Sequence, residues 1–287
     1  MEPPFFVAAS PHKNAPIGVF DSGIGGVTVL KALQEAFPHE SFVYIADGAH
    51  SPYGTKGASL VHGFAQELAE FLATYCVKAI VVACNTASAV LKQAPLNGVH
   101  LPVFEVITPT VQSVTGQHIA VIATATTIQS AAYSKALAEV GKTLEWAKAT
   151  PMLVPLVEEG LAEDKIAQVL INYYLADLPL IIDTLILGCT HYPVLKPKIQ
   201  ALFPHITLVD AAEATALAVK AAFYRHNLNT TSEAVGTTTV FTTGEVAVFD
   251  ALAKLSGFNL PKAKKLNLEN KVELLKYCPT SAAIANS

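Results

Sequence analysis

Two cysteines stand at the ends of apolar runs, and each is followed by polar residues. Cys84 closes the run KAIVVAC and leads Asn-Thr-Ala-Ser, whereas Cys189 closes DTLILGC and leads Thr-His-Tyr-Pro. A thiol has an ordinary pKa of about 8.5, which its surroundings can lower, so it can serve as a base when ionised and as an acid when protonated. Two such groups on opposite sides of a carbon could remove a proton from one face and deliver another to the opposite face. Inversion at a carbon that bears a carboxylate requires this pair of steps.

Each candidate residue also has a simpler interpretation. A single cysteine at the end of an apolar strand is most often a small buried residue without chemistry, and only the pair of similar motifs favours a functional role. His191 gains interest only because it lies two residues after Cys189. Asp21 could cap the helix that follows it, and Glu158 could be a solvated surface carboxylate. The glycines at 23–26 do not fit G-x-G-x-x-G, so they indicate a tight turn and a close approach of substrate more than a phosphate cradle.

The elements that must position these residues alternate between strand-like and helix-like segments. Apolar runs predict strands at 17–20, 42–45, 78–84, 119–122 and 183–189, and amphipathic spacing predicts helices at 27–37, 60–75 and 130–140. The threonines at 124–127 could be no more than the start of a helix. This alternation is typical of an α/β fold with mainly parallel central sheets flanked by helices. Ligands of such sheets bind beyond the carboxyl ends of the strands, where both cysteines are expected.

The order of elements repeats once along the chain. Asp21 and Cys84 are 63 positions apart, and Thr124 and Cys189 are 65 apart. We therefore predict two similar lobes with the active site in the cleft between them. The first lobe would comprise 14–107 and 222–265 and carry Cys84, and the second would comprise 108–221 and carry Cys189. Residues 266–287 would form a C-terminal tail.

Composition excludes several classes of function. The 287 residues are 52% hydrophobic and only 15% charged, which describes a globular chain with a large core. A net charge of -4 gives no basic surface for nucleic acid or for an anionic membrane. Mean hydropathy is +0.41, but no apolar run reaches the ~20 residues of a membrane span. The N-terminus lacks a signal-like stretch, so we expect a cytoplasmic protein in which cysteines are free, catalytic or metal-bound more often than paired.

Several sequence motifs carry a resemblance to a known family. They are IGVFDSGIGG at 17–26, PYG at 52–54, VVACNTASA at 81–89, VPLVEEG at 154–160 and LILGCTHYP at 185–193, with LVDAAEATA at 208–216 as a weaker match. Over roughly residues 16–245 the chain resembles glutamate racemases of the aspartate/glutamate racemase family. The motif around Cys189 is highly specific, and its pairing with the motif around Cys84 is more so.

The resemblance implies a function and a set of roles. Cys84 would take the α-proton of one glutamate enantiomer and Cys189 that of the other, with Asp21, His191 and Glu158 handling protons beside them. The residues that would hold the substrate's amino and carboxylate groups are Asp21, Ser22, Tyr53, Gly54, Asn85, Thr86, Thr127, Thr190 and His191. The resemblance implies no metal, pyridoxal phosphate or nucleotide, a role in supplying D-glutamate for peptidoglycan, and compatibility with a homodimer.

The sequence departs from the family pattern in places, and other functions stay open. Ala46-Asp47-Gly48 stands where the family usually has Gly-Asp-Thr, Thr108-Pro109 where it has Glu-Pro, and Ala211-Ala212 where it has Ser-Gly. The change at Gly48 bears on the conformation of the neighbouring Pro-Tyr-Gly loop. The alternatives are a racemase of a related amino acid such as aspartate, a hydrolase with Cys189 as nucleophile, and a zinc site made by the two cysteines and His191. The spacing of Cys189 and His191 is poor for chelation from a strand end.

Overall fold

The computed structural model describes residues 12–268. Ten strands alternate with eleven α-helices over these residues. The strands are β1 (Ile17–Asp21), β2 (Phe42–Ala46), β3 (Ala79–Val82), β4 (Val103–Glu105), β5 (Ile119–Ala123), β6 (Leu144–Ala149), β7 (Thr184–Gly188), β8 (Thr207–Val209), β9 (Thr238–Thr242) and β10 (Lys264–Lys265). The helices are α1 (Val27–Ala36), α2 (Ala58–Thr74), α3 (Asn85–Leu91), α4 (Ile107–Gln112), α5 (Ala125–Gln129), α6 (Ala132–Glu139), α7 (Leu153–Glu158), α8 (Lys165–Leu175), α9 (Lys196–Leu202), α10 (Ala212–His226) and α11 (Val246–Leu255). Short 3-10 turns cover Tyr53–Thr55 and Tyr192–Leu195.

The strands form two parallel sheets. The first has the order β10-β9-β2-β1-β3-β4 and the second the order β6-β5-β7-β8. Strands β1, β3, β5 and β7 lie inside their sheets and are buried along their whole length, as expected for apolar strands covered on both faces. The predicted α/β class with two mainly parallel sheets flanked by helices is confirmed.

Each sheet lies between two apolar layers. On one face of the first sheet, Val19 and Val81 pack with residues of α1, α10 and α11, and on the other face Phe20 and Val82 pack with residues of α2 and α3. Helix α1 shows why this packing forms, since the four apolar residues that the sequence places on one face of it are all buried: Val27, Leu30, Leu33 and Phe37. Helices α7, α8 and α9 cover one face of the second sheet, and α6 covers the other.

The predicted lobe boundaries stay a prediction. Helix α10 crosses the proposed junction at 221, and its Val219 and Phe223 both belong to the core that includes α1. Of the predicted tail at 266–287, residues 269–287 lie outside the described residues. None of the α-helices within 12–268 combines the length and the hydrophobicity that a membrane-spanning helix needs.

Candidate active site

The carboxyl ends of four central strands carry the candidate residues. Asp21 ends β1, Cys84 follows β3 at the N-cap of α3, and Cys189 follows β7 directly. Thr124 follows β5 and caps α5 by accepting a hydrogen bond from the backbone N–H of Thr127. Because parallel strands present their carboxyl ends at one edge, each sheet brings one cysteine and one polar turn to the same edge.

The two thiols lie within one electrostatic environment. Cys84 and Cys189 are both free and buried. Burial raises the pKa of the Cys84 thiol, and the negative charges of Asp21 and Cys189 raise it further. The Cys84 Sγ also contacts the Ser22 Oγ at 3.8 Å. Cys84 therefore shares its surroundings with a carboxylate of its own sheet and with the cysteine of the other sheet.

Asp21 is held by the glycine-rich turn that follows β1. Its Oδ2 accepts hydrogen bonds from the backbone N–H groups of Gly23 (3.1 Å) and Gly26 (2.9 Å). Burial raises the pKa of Asp21, against the opposing effect of the positive charge on His191 and of these two N–H groups. The side chain thus fixes the turn that precedes α1, but Asp21 is not the helix cap that the sequence leaves open, because the N-cap of α1 is Gly26 and has no side-chain hydrogen bond. The Asp21 carboxyl group also interacts with Cys84 of the first sheet and with His191 of the second.

His191 links Cys189 to a carboxylate. Its Nδ1 lies 3.7 Å from the Cys189 Sγ, and its Nε2 lies 3.2 Å from Glu158 Oε1. Burial by itself lowers the pKa of His191, but the hydrogen bonds and negative charges of Cys189 and Glu158 outweigh burial and raise the pKa to about 10. Conversely, burial favours a higher pKa for Glu158, but the contact with His191 holds it below its ordinary value. This geometry favours an imidazolium that lies between the Cys189 sulfur and the Glu158 carboxylate.

Threonines and an amide surround the start of α3. The Thr86 and Thr124 hydroxyls are 2.9 Å apart, and Thr124 lies 2.9 Å from the Thr127 hydroxyl. Asn85 Oδ1 accepts a 2.6 Å hydrogen bond from the Tyr133 hydroxyl, whereas its buried Nδ2 has no partner among the described residues. A buried donor without a partner is costly, so this amide is suited to a ligand that brings an acceptor such as a carboxylate.

The Pro-Tyr-Gly turn lies against the second sheet through its glycine. A Cβ atom added to Gly54 would lie 2.4 Å from the Thr124 side chain, so only glycine allows this approach. The Tyr53 hydroxyl is engaged elsewhere, because it donates a 2.5 Å hydrogen bond to Asp47 Oδ2. Thr243 donates to the other Asp47 oxygen at 2.6 Å. Asp47 belongs to the Ala46-Asp47-Gly48 stretch that departs from the family pattern. It thus holds the Pro-Tyr-Gly turn in place through Tyr53.

Thr190 lies where the two sheets' loops meet. A Cβ atom added to Gly25 would lie 2.4 Å from Thr190 Oγ1 and 2.6 Å from His191 Nδ1. The glycine turn after β1 is therefore in close contact with the loop after β7. Of the buried predicted site residues, Ser22 and Thr190 lie in the turns after β1 and β7, and Thr86 and Thr127 lie in the first turns of α3 and α5.

Three residues near the site were not assigned roles from the sequence. Ser51 donates a 3.2 Å hydrogen bond to Glu158 Oε1, Thr124 joins the threonine cluster, and Tyr133 holds Asn85. Position gives a partial signal for Ser51, since it directly precedes the Pro-Tyr-Gly motif, and for Thr124, since it follows a strand. Tyr133 lies inside a helical pattern and carries no such signal.

Two further expectations from the sequence concern a possible metal site and the pairing of cysteines. Over residues 12–268 no group of three or more His, Cys, Asp or Glu side chains is arranged to hold a metal ion. Cys76 is disulfide-bonded, so the expectation of unpaired cysteines is wrong for this residue. Cys76 lies in the turn between α2 and β3.

Comparison with known proteins identifies the family. A family model described as Asp/Glu/Hydantoin racemase matches residues 17–219. The chain belongs to this racemase family. It is 44% identical to a glutamate racemase of Thermus thermophilus over 89% of this chain and 98% of that relative. The racemase is therefore an isomerase, and the resemblance carried by its motifs is confirmed.

Solved structures of other family members match the same fold. The crystal structure of the Thermus thermophilus glutamate racemase in complex with β-chloro-D-alanine has a TM-score of 0.82 and 42% identity, covering 90% of this racemase and 98% of that chain. A glutamate racemase isoform of Bacillus anthracis has a TM-score of 0.84 and 35% identity, covering 90% and 99%. Both sheets of the racemase therefore belong to the shared architecture.

Proposed function

We propose that this racemase interconverts L- and D-glutamate by two-base proton transfer between Cys84 and Cys189. The main support is the mutual environment of the two thiols: each follows a central strand of a different sheet, and the charge of Cys189 contributes to raising the pKa of Cys84. The substrate is proposed from the relatives, which are named glutamate racemases. Aspartate is the alternative substrate.

The proposed reaction consists of two proton transfers. One thiolate takes the α-proton, and the electron pair of the broken C–H bond stays on the α-carbon, delocalised into the adjacent carboxylate. The thiol on the opposite side then gives its proton to the other face of the same carbon. After one turnover the two cysteines have exchanged protonation states, and each serves as the base for one enantiomer.

The neighbouring groups support this exchange in different ways. His191 would stabilise Cys189 as a thiolate through its positive charge, with Glu158 holding the ring from its other nitrogen. Asp21 would handle protons beside Cys84, whose thiol is buried and lies near the negative charge of Asp21. The Asn85 amide and the threonine hydroxyls would bind substrate carboxylate oxygens, and Ser22, Tyr53, Gly54 and Thr190 would complete the binding site.

Several finer expectations belong to the same proposal. We propose that the reaction uses no bound cofactor, that the enzyme works in the cytoplasm, and that its D-glutamate supplies peptidoglycan synthesis. A homodimer and the active site between two lobes, 14–107 with 222–265 and 108–221, are also proposed. Support for these comes from the motifs shared with glutamate racemases.

The test combines circular dichroism with isotope exchange. We expect the wild-type protein to racemise both enantiomers, and Cys84→Ser or Cys189→Ser to lower kcat by about 10²-fold or more, the range of general acid–base catalysis. In D₂O, each variant should still exchange the α-proton of the enantiomer served by its remaining cysteine. Wild-type rates in both variants would disprove the mechanism. Faster turnover of aspartate than of glutamate would replace the substrate, and hydrolysis without α-deuteration would favour a cysteine hydrolase.

A further inference from the structure

A hydrogen bond from the first sheet's loops reaches the carboxylate that holds His191. Ser51 lies between β2 and the Tyr53 turn, and its hydroxyl donates to Glu158 Oε1 at 3.2 Å. The same Oε1 atom lies 3.2 Å from His191 Nε2. The contacts therefore run without interruption from Ser51 through Glu158 and His191 to the Cys189 sulfur.

We propose that Ser51 is a positioning residue that fixes Glu158 against His191 and so keeps Cys189 ready to act as a base. This inference rests on the proposed two-thiol function. Ser51 itself touches neither thiol in this chain of contacts, so it acts through Glu158 and not on the substrate.

The surrounding backbone is shaped to allow this contact. A Cβ atom added to Gly23 would lie 3.2 Å from Ser51 Oγ and 3.5 Å from Glu158 Oε1. Glycine at position 23 therefore leaves the space in which the serine and the carboxylate meet. Gly25 in the same turn allows the approach of His191. One glycine-rich turn thus makes room for both ends of the Glu158–His191 pair.

The Glu158 side chain is partly exposed, so a second hydrogen bond is needed to hold its carboxylate in place. A quarter of its side chain is exposed, whereas His191 is 3% exposed. An exposed carboxylate can rotate into water, and a single contact with an imidazolium is a weak restraint on it. A hydrogen bond from a neutral hydroxyl lowers the freedom of the carboxylate and favours its ionised form.

The contact also joins two parts of the molecule. Ser51 follows β2 of the first sheet, whereas Glu158 is the last residue of α7, which packs on the second sheet, and Cys189 and His191 follow β7 of that sheet. The hydrogen bond can form only when the two sheets have this relative arrangement. Ser51 thereby makes the full set of contacts around His191 depend on how the two sheets are placed relative to each other.

The charged groups that face His191 define the expected effect of losing Ser51. They are Cys189 and Glu158, which favour the imidazolium, and Asp21, on whose carboxyl group the His191 charge acts. Without the serine hydroxyl, Glu158 should spend less time against Nε2. The His191 imidazolium is then less favoured, and the Cys189 thiolate loses the positive charge beside it.

The experiment compares Ser51→Ala with Ser51→Thr and with Ser59→Ala, a serine exposed on α2. We expect kcat/KM for glutamate to fall about tenfold in Ser51→Ala, as for a lost hydrogen bond to a charged group, and to recover in Ser51→Thr. The alkaline limb of the kcat/KM profile should move to lower pH in Ser51→Ala only. Ser59→Ala should match the wild-type enzyme in both respects.

A second measurement does not depend on activity. We expect the His191 ring, followed by proton NMR and assigned with His191→Gln, to titrate at lower pH in Ser51→Ala than in wild type. If wild-type protein does not racemise glutamate, the proposed function fails, and the ring titration still decides whether Ser51 controls the Glu158–His191 pair. If Ser51→Ala and Ser59→Ala agree in rate, pH profile and ring titration, the positioning role is overturned.

Discussion

The charge on His191 results from a balance between burial and two neighbours. Burial of the ring disfavours the imidazolium, while Cys189 on one ring nitrogen and Glu158 on the other favour it. The neighbours prevail, since the pKa is raised to about 10. A histidine two residues after a cysteine suggests part of this arrangement from sequence. The carboxylate on the far nitrogen comes from a helix 33 residues earlier and is fixed only by the fold.

The raised pKa of His191 predicts a pH dependence of stability. Folded protein keeps the His191 proton up to about pH 10, whereas unfolded chain releases it above 6.5. The stabilisation is complete below pH 6.5 and is lost as pH rises toward 10. Between pH 6.5 and 8.5 this difference in bound protons should lower the free energy of unfolding by at most about 1.4 kcal/mol per pH unit.

Denaturant unfolding at several pH values checks this dependence. We expect His191→Gln to be less stable than wild type at pH 6.5 and to show a smaller decline up to pH 8.5, because it has no proton to release. His205→Gln, at an exposed histidine, is the matched control and should keep the wild-type slope. Equal slopes in wild type and His191→Gln would show that the imidazolium does not contribute to folding.

Elements buried in the middle of a sheet were the easiest to predict. The apolar runs at 78–84 and 183–189 correspond to β3 and β7, because a parallel strand covered on both faces has no polar alternation. The short strands β4 and β8 were not predicted, since each is only partly buried and three residues long. Helix α3 begins at Asn85 and is buried at all seven of its residues, so its sequence shows no amphipathic period. Its position follows from the strand that precedes it.

The glycine turn after β1 gives a prediction at the level of elements. In Gly25→Ala the new Cβ would lie 2.4 Å from Thr190 Oγ1 and 2.6 Å from His191 Nδ1, so the loop after β7 must move. Because catalysis depends on sub-ångström placement, we expect kcat/KM to fall by about 10²-fold.

A second glycine provides the control for this variant. Gly63 lies exposed within α2, where an added Cβ meets nothing within 4 Å. Gly63→Ala should keep full activity and stabilise the helix by roughly 0.5–1 kcal/mol. Steady-state kinetics and thermal unfolding of both variants test the idea. Wild-type kcat/KM in Gly25→Ala would mean that the two loops do not need this close approach.

At the scale of the whole molecule, the sequence indicates the two sheets but not their mutual contacts. Repeated spacing between a polar turn and a cysteine predicts that each sheet contributes one thiol. The bond from Ser51 to Glu158 joins residues 107 positions apart, and Tyr133 reaches Asn85 over 48 positions. Such pairs depend on how the sheets are oriented, and neither apolar periodicity nor a local motif encodes that orientation. The sequence therefore offers candidate residues one by one, and it does not predict the hydrogen bonds between the two sheets.

A buried ion pair holds the end of the first sheet that lies away from the thiols. Lys78 and Glu40 are both buried, with Nζ 2.5 Å from Glu40 Oε2. The ammonium group also donates to the carbonyl oxygens of Lys13 (2.6 Å) and Leu228 (3.0 Å), and Glu40 Oε1 accepts from the Thr230 N–H (2.7 Å). Four distant segments of the chain meet at this pair, so it serves the stability of the molecule as a whole.

Removing the lysine should therefore separate stability from activity. In Lys78→Met the Glu40 charge stays buried without its partner, and we expect the free energy of unfolding to fall by about 3–5 kcal/mol. Lys78 precedes β3 and Cys84 follows it, about 20 Å apart along an extended strand, so kcat/KM per folded molecule should stay at the wild-type value. Lys31→Met, at an exposed position of α1, should change stability by less than about 0.5 kcal/mol. Urea unfolding and kinetics below the unfolding transition measure both quantities. An activity loss in folded Lys78→Met would mean that the far end of the sheet controls the thiols, whereas unchanged stability would mean that Glu40 finds another partner or a proton.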